Sequence, residues 1–219
     1  MRGAVLHGLR DVRFEDREAP KILEPTDAIV RIAATCVCGS DLWPYRGIQP
    51  VTGPTPMGHE YCGIVEEVGR KVTRVRPGQF VIGSFFFASD NTCPNCKFGY
   101  QTSCQHREFV STAQAPMLRV PLADGTLVVT PEAPSKDQIP SLLALSDVMG
   151  TGWFAADAAN VRPGSTVVVV GDGAVGLLGV LSAKQKGAAR IITMSRNESR
   201  QKLAREFGAT DIVSARGEA

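Results

Sequence analysis

Short apolar runs broken by glycine and proline dominate the first ninety residues. Segments 28–33, 63–68 and 79–82 read as strands, punctuated at Pro54, Pro56, Gly69, Pro77 and Gly78. This is an all-β pattern of barrel or sandwich type. Residues 90–106 carry no periodic apolar face and read as a loop. Two more strands are expected within 115–130. A helix is expected to begin over 135–145, with Asp137, Gln138 and Pro140 in its first turn, where acids and proline are favoured.

The texture changes near residue 162. Pro163-Gly164-Ser165 is a turn, and 166–170 (Thr-Val-Val-Val-Val) is an unbroken β-branched run, the signature of a parallel strand buried on both faces. A glycine-rich turn and a helix to about residue 186 follow. Next come a strand at 190–194, a helix at 198–207 and a short strand at 211–213. This β-α-β-α-β series is one right-handed mononucleotide-binding half.

Its glycine-rich turn, Gly171-Asp172-Gly173-Ala174-Val175-Gly176, fits G-x-G-x-x-G between a strand and a helix. That context makes the pattern informative. Gly171 permits the tight turn, Gly173 lets backbone approach a pyrophosphate, and Gly176 lets helix and strand pack closely. The helix start at Ala174 and Val175 offers N–H groups to phosphate. An acid is expected about 20 residues on to hold a ribose 2′-hydroxyl, yet no Asp or Glu stands between Gly173 and Asn197. The strand ends Met194-Ser195-Arg196, with Arg200 one turn later. A hydroxyl and guanidinium groups suit a 2′-phosphate, so NADP(H) is expected over NAD(H). The plain alternative for Arg196 and Arg200 is a solvated helix start.

Two groups of polar side chains have metal-ligating chemistry. Cys93 and Cys96 form the short clamp that lets two thiolates meet one Zn²⁺, and Cys104 is near enough to be a third ligand. Asp90 continues the same three-residue spacing backwards as an oxygen donor, with His106 an alternative fourth ligand. The second group, Cys38, His59-Glu60 and Asp147, is dispersed. Singly, these read as a small buried hydrophobe, a satisfied core histidine and a helix cap.

Composition narrows the class. Of 219 residues, 43% are apolar and 21% charged, which is ordinary globular usage, and a net charge of +2 argues against nucleic acid or an anionic membrane as partner. The longest charge-free stretch, 77–89, has 13 residues, short of the roughly 18–20 that span a bilayer. Six cysteines are too few for a disulfide scaffold. With charge interrupting the first residues too early for a secretory core, they suggest a reducing, cytoplasmic setting, in which clustered cysteines lean towards metal.

In order, Cys38-Gly39-Ser40-Asp41, Gly58-His59-Glu60-Tyr61-Cys62-Gly63-Ile64-Val65, Val68-Gly69, Arg76-Pro77-Gly78, the Asp90/Cys93/Cys96/Cys104 loop and Gly171–Gly176 resemble zinc-dependent alcohol dehydrogenases of the medium-chain dehydrogenase/reductase family. The resemblance covers essentially the whole chain. It implies a mixed fold: a GroES-like β domain over 1–152, with a structural zinc loop at 90–104, then the first half of an α/β Rossmann fold over 153–219. By position, Cys38, His59 and Asp147 resemble catalytic zinc ligands, and Glu60 the neighbouring acid that can approach the metal. Ser40 resembles the hydroxyl that takes the alcohol proton. Asp147 stands where many members have cysteine, and some bacterial members that prefer NADP use Asp there. The implied function is interconversion of a small alcohol with its aldehyde or ketone, with two zinc ions per chain.

Three positions depart from the family pattern. Trp43 replaces a relay histidine, Asp90 replaces a cysteine, and the usual acid–aromatic pair is missing around Ala115-Pro116-Met117. A dinucleotide fold also needs about six strands, whereas the pattern here ends after the third, near Ala219. The chain is therefore expected to be a fragment with reduced or no turnover. It is expected to be aggregation-prone, although the full-length family implies a homo-oligomer. Two rivals remain: a non-catalytic zinc-stabilised module, and a zinc-free quinone reductase of the same superfamily.

Overall fold

A computed structural model describes residues 1–215. Ala219, the end of the expected nucleotide segment 153–219, lies outside the described residues. The chain divides into two compact units, Met1–Ser146 and a second beginning at Asp147.

In the first unit, β1 (Arg2–Gly8) and β2 (Asp11–Asp16) form a hairpin, followed by β3 (Ala28–Thr35). A 3₁₀ turn, Gly39–Asp41, runs into the short α1 (Leu42–Tyr45). Then come β4 (Thr55–Pro56), β5 (Tyr61–Val68), β6 (Phe80–Gly83), β7 (Phe87–Ala88), α2 (Pro94–Lys97) and β8 (Glu108–Phe109). The unit ends with β9 (Met117–Val120), α3 (Ala123–Thr126), β10 (Leu127–Val129) and α4 (Ile139–Ala144).

The main sheet is antiparallel, in the order β10-β6-β5-β3-β9, beside the smaller sheet β2-β1-β4. Alternating residues of these strands, among them Val30, Val65, Val81, Leu118 and Val120, meet around a fully buried Tyr61. Alternation is what a sheet needs to bury one face. Gly83 has no side chain because the Tyr61 ring occupies the space a Cβ would take. The helix expected at 135–145 opens as a 3₁₀ turn in which Gln138 reaches back to the N–H of Ser135, then continues as α4.

The second unit contains α5 (Val148–Ala158), β11 (Thr166–Val170), α6 (Ala174–Gln185), β12 (Arg190–Met194), α7 (Glu198–Phe207) and β13 (Asp211–Val213). Helix α5 runs across the boundary expected after residue 152 and packs on α6. The three strands are parallel, in the order β11-β12-β13. Leu177, Val180, Ile191 and Ala204 form the core, with Val167 and Val169 packed against them.

One expectation is corrected. β11 is not buried on both faces: Val168 is 56% and Val170 78% exposed. α6 covers only the face carrying Val167 and Val169, and β11 is an edge of the described sheet. Among the described residues, no helix is long and apolar enough to cross a membrane.

Candidate functional site

Asp90, Cys93, Cys96 and Cys104 gather as the spacing predicts, each offering a ligand atom within 4.8 Å of the others. Cys93 Sγ lies 3.4 Å from Cys96 Sγ and 4.0 Å from Cys104 Sγ. Asp90 Oδ1 is 3.3 Å from Cys104 Sγ and 3.9 Å from Cys96 Sγ. Bonds of about 2.0–2.3 Å to a tetrahedral zinc imply donor–donor edges of roughly 3.3–3.8 Å. Three sulfurs and one oxygen at 3.3–4.0 Å need only a contraction of about 0.2 Å at the two longest edges to hold that metal.

The loop's hydrogen bonds prepare the set. Gln105 N–H donates to Cys93 Sγ and draws that thiol below its usual range, while burial pushes Cys96 up. Burial works against ionisation of Asp90, but donors from Thr92, His106 and Cys104 outweigh it and hold the carboxyl well below the usual range.

His106 does not join the cluster. Its Nδ1 lies 2.6 Å from Asp90 Oδ2, and Thr92 Oγ1 donates to the same oxygen at 2.6 Å, so Oδ1 is turned towards the sulfurs. Asp90 thus lies against the sulfurs, and His106 lies behind its carboxylate. His106→Ala is expected to weaken metal binding at this loop by about 10- to 100-fold, the usual effect of removing such a support. Competition with a chromophoric chelator measures it. Simultaneous loss of a metal held by Cys38 and His59 would contradict the assignment.

The second group forms at the end of the main sheet. Cys38 caps the 3₁₀ turn after β3, and His59 and Glu60 lead into β5. Thr35 Oγ1 donates to the Glu60 carbonyl at 2.8 Å, tying the two strand ends together. Tyr61 N–H donates to Ser146 Oγ at 3.1 Å, fixing the chain one peptide bond before Asp147. One ligand atom from each of Cys38, His59, Glu60 and Asp147 lies within 4.8 Å of the others.

His59, Glu60 and Asp147 are 4%, 2% and 7% exposed. Two carboxylates and a thiol crowded out of water repel one another when ionised, and buried charges of this kind are paired or coordinate a metal. The donor set suits a divalent cation of zinc type, with the carboxylates making it slightly harder. Asp147 holds the N-cap position of α5, but its carboxylate makes no capping bond to the helix; Oδ1 accepts from Thr151 Oγ1 at 2.8 Å. Ser40 lies exposed in the turn two residues after Cys38, and Trp43 is exposed in α1.

Asp41 was missed by the sequence reading. Its Oδ2 accepts from Cys38 N–H at 2.9 Å, and its Oδ1 lies 3.7 Å from His59 Nδ1. An acid three residues after a helix cap is the available signal, because it reaches back to the cap's N–H. Phe85 and Phe86 were also missed. They meet the His59 ring edge-on at 5.8 and 5.7 Å, and with Phe87 and Phe109 they make an aromatic wall.

The glycine-rich turn has a backbone that depends on its glycines. Gly171 has φ +115°, which side-chain-bearing residues rarely adopt. A Cβ on Gly176 would collide with the Gly171 carbonyl oxygen, whereas a Cβ on Gly173 would meet open space. Ala174 and Val175 begin α6. Ser195 is buried at the end of β12, and Arg196 and Arg200 are exposed beside it.

Residues 24–141 match the alcohol dehydrogenase GroES-like domain. The chain is 36% identical over 220 residues to zinc-type alcohol dehydrogenase B of Aspergillus flavus, covering 95% of this chain and 50% of that protein. It is 35% identical over 229 residues to a medium chain reductase/dehydrogenase of Acremonium sp., covering 99% and 77%. Among solved structures, the alcohol dehydrogenase TADH from Thermus sp. ATN1 superposes with a TM-score of 0.88 at 31% identity, covering 97% of this chain and 63% of that one. The chain thus spans from half to about three-quarters of the length of these relatives. With the domain match and these relatives in agreement, the chain belongs to the zinc-type alcohol dehydrogenases of the medium-chain dehydrogenase/reductase family.

Proposed function

We propose that the protein is a zinc-dependent oxidoreductase that interconverts an alcohol with its aldehyde or ketone using NADP(H). The observation that carries this reading is the cluster of the half-buried Cys38 with the buried His59, Glu60 and Asp147. Zinc held by Cys38, His59 and Asp147 supplies Lewis acidity to a substrate oxygen, and the nicotinamide supplies the hydride acceptor. The protein's own groups do the rest. Glu60 balances charge beside the ligands, Asp41 fixes Cys38 and lies beside His59, and the Ser40 hydroxyl takes the alcohol proton. Exposure of Ser40 supports direct release of that proton to water, bypassing the relay position held by Trp43. Phe85 and Phe86 favour a substrate with an apolar substituent. Asp90, Cys93, Cys96 and Cys104 hold the second zinc. A reducing, cytoplasmic location goes with this reading, since the clustered thiols Cys93, Cys96 and Cys104 suit a metal there.

The 219-residue chain by itself is proposed to bind nucleotide through its adenosine end, to turn over slowly and to self-associate. Its described nucleotide sheet has three strands, against about six in a full dinucleotide fold. The activity test follows NADPH formation by the protein from a panel of alcohols. Alcohol-dependent NADPH formation that Cys38→Ser abolishes is the expected result. Folded protein without zinc would instead favour the quinone reductase reading.

Arg196 supports NADP(H), since it is exposed at the end of β12 beside the buried Ser195 hydroxyl. Arg196→Ala is expected to narrow the preference for NADPH over NADH by about 1–3 kcal/mol, the scale of a charge-assisted hydrogen bond. Fluorescence titration of both cofactors measures it. Tighter NADH binding by the unmodified protein would reject the preference.

A further inference from the structure

The sequence between Gly173 and Asn197 contains no acid, which is why a 2′-phosphate looks welcome. The fold supplies an acid from elsewhere. Asp172, inside the glycine-rich turn, projects to the end of β12. Its Oδ2 accepts from Ser195 Oγ at 2.8 Å, and its Oδ1 accepts from Arg200 Nη1 at 3.0 Å. Two of the three side chains that suit a 2′-phosphate are therefore already bound to a carboxylate. The third, Arg196, has no ion pair among the described residues.

The arrangement is well fixed on each side. Gly171 with φ +115° sets the direction of the turn. Ser195 N–H donates to the Val213 carbonyl at 3.0 Å, and Gln201 Nε2 donates to the Ser195 carbonyl at 2.8 Å. Arg200 sits in the first turn of α7, whose cap Asn197 accepts from Ser199 and Arg200 N–H groups. The Ser195 hydroxyl, acting against burial and reinforced by Arg200, holds the Asp172 carboxyl below its usual range, so it is charged at neutral pH.

We propose that Asp172 is a specificity-determining residue of the nucleotide site, occupying the anion position between Ser195 and Arg200 and thereby limiting the advantage of a 2′-phosphorylated ribose over an unphosphorylated one. The inference rests on the dinucleotide reading above and deepens it. A 2′-phosphate approaching Ser195 meets a carboxylate of like charge, while Arg200 has its charge already offset. A plain 2′-hydroxyl donates to that same carboxylate, as it does to the acid in other folds of this type. Arg196 draws the phosphate, and Asp172 sets how far that attraction prevails.

The test compares adenosine 2′,5′-bisphosphate with 5′-AMP by calorimetry on the unmodified chain and on Asp172→Asn, which keeps the size and loses the charge. Neither ligand requires catalysis. Asp172→Asn is expected to shift the affinity ratio at least tenfold towards the bisphosphate. The shift should shrink but stay above threefold in an Arg200→Ala background, because Asp172 acts partly by offsetting that guanidinium and partly by direct repulsion of the phosphate. A merely structural role would weaken both ligands together and leave the ratio within twofold, which would overturn the proposal while the nucleotide reading stands. Failure of both ligands to bind the folded, unmodified chain would instead overturn the nucleotide reading, and the role of Asp172 with it.

Discussion

Cys93→Ser is expected to strip one metal equivalent and lower the thermal midpoint sharply, while Cys38→Ser strips the other equivalent and lowers the midpoint by less. The asymmetry follows from what surrounds each set. The buried Cys93, Cys96 and Cys104 form a cluster of their own, with no aliphatic residue in it. The intervening chain is held by short turns, α2 and a few side-chain bonds such as Asn95 Nδ2 to the Ser103 carbonyl at 2.7 Å. Metal supplies what an apolar core otherwise would. With free zinc a thousandfold above its dissociation constant, loss of that site costs about 4 kcal/mol. In a chain of this size that lowers the midpoint by roughly 8–16 °C. Cys38, by contrast, is anchored through its backbone by Asp41, and the neighbouring strand ends by Thr35 and Tyr61. These bonds persist without the thiol. Metal analysis and calorimetry on the two variants measure both effects. Loss of both metals from either variant would show that the two sets are not independent.

The parts of this molecule legible in its sequence are those governed by local rules. The bounds of α7 and β13 fall where capping and β-branching place them. The loop at 90–106 was readable because thiol spacing is short-range. The second donor cluster had no such rule: Cys38 and Asp147 are more than a hundred residues apart, and only family resemblance united them. Side-chain reach was the other blind spot. Asp172 drew no role from the glycine pattern, because spacing carries no information about where a turn directs its carboxylate. Asp41 was hidden for the same reason. The exposed face of β11 shows the opposite failure, since a run of valines signals the need for cover without showing what covers it.

That uncovered face leads to the second large effect: the 219-residue chain is expected to self-associate through β11. The two edges of the described three-stranded sheet differ. β13 has three residues and begins at Asp211, which Arg190 holds by two hydrogen bonds of 3.0 Å. β11 has five residues, four of them valine and none charged. A flat, uncharged, β-branched edge is a template for pairing with another chain. Val168 and Val170 add apolar surface on the same face of that strand, each worth about 1.5–3 kcal/mol if fully buried. Association also has a rotational and translational cost of about 4–15 kcal/mol, so backbone pairing along β11 must contribute for dimers to form. Val170→Lys puts a charge at this exposed position without touching the core packed on α6. It should raise the dissociation constant of self-association at least tenfold, about 1.4 kcal/mol, with the circular dichroism spectrum unchanged. Sedimentation velocity across a concentration series measures it. A chain that stays monomeric at high concentration, or a variant that associates as strongly as the original, would show that the β11 edge does not drive association.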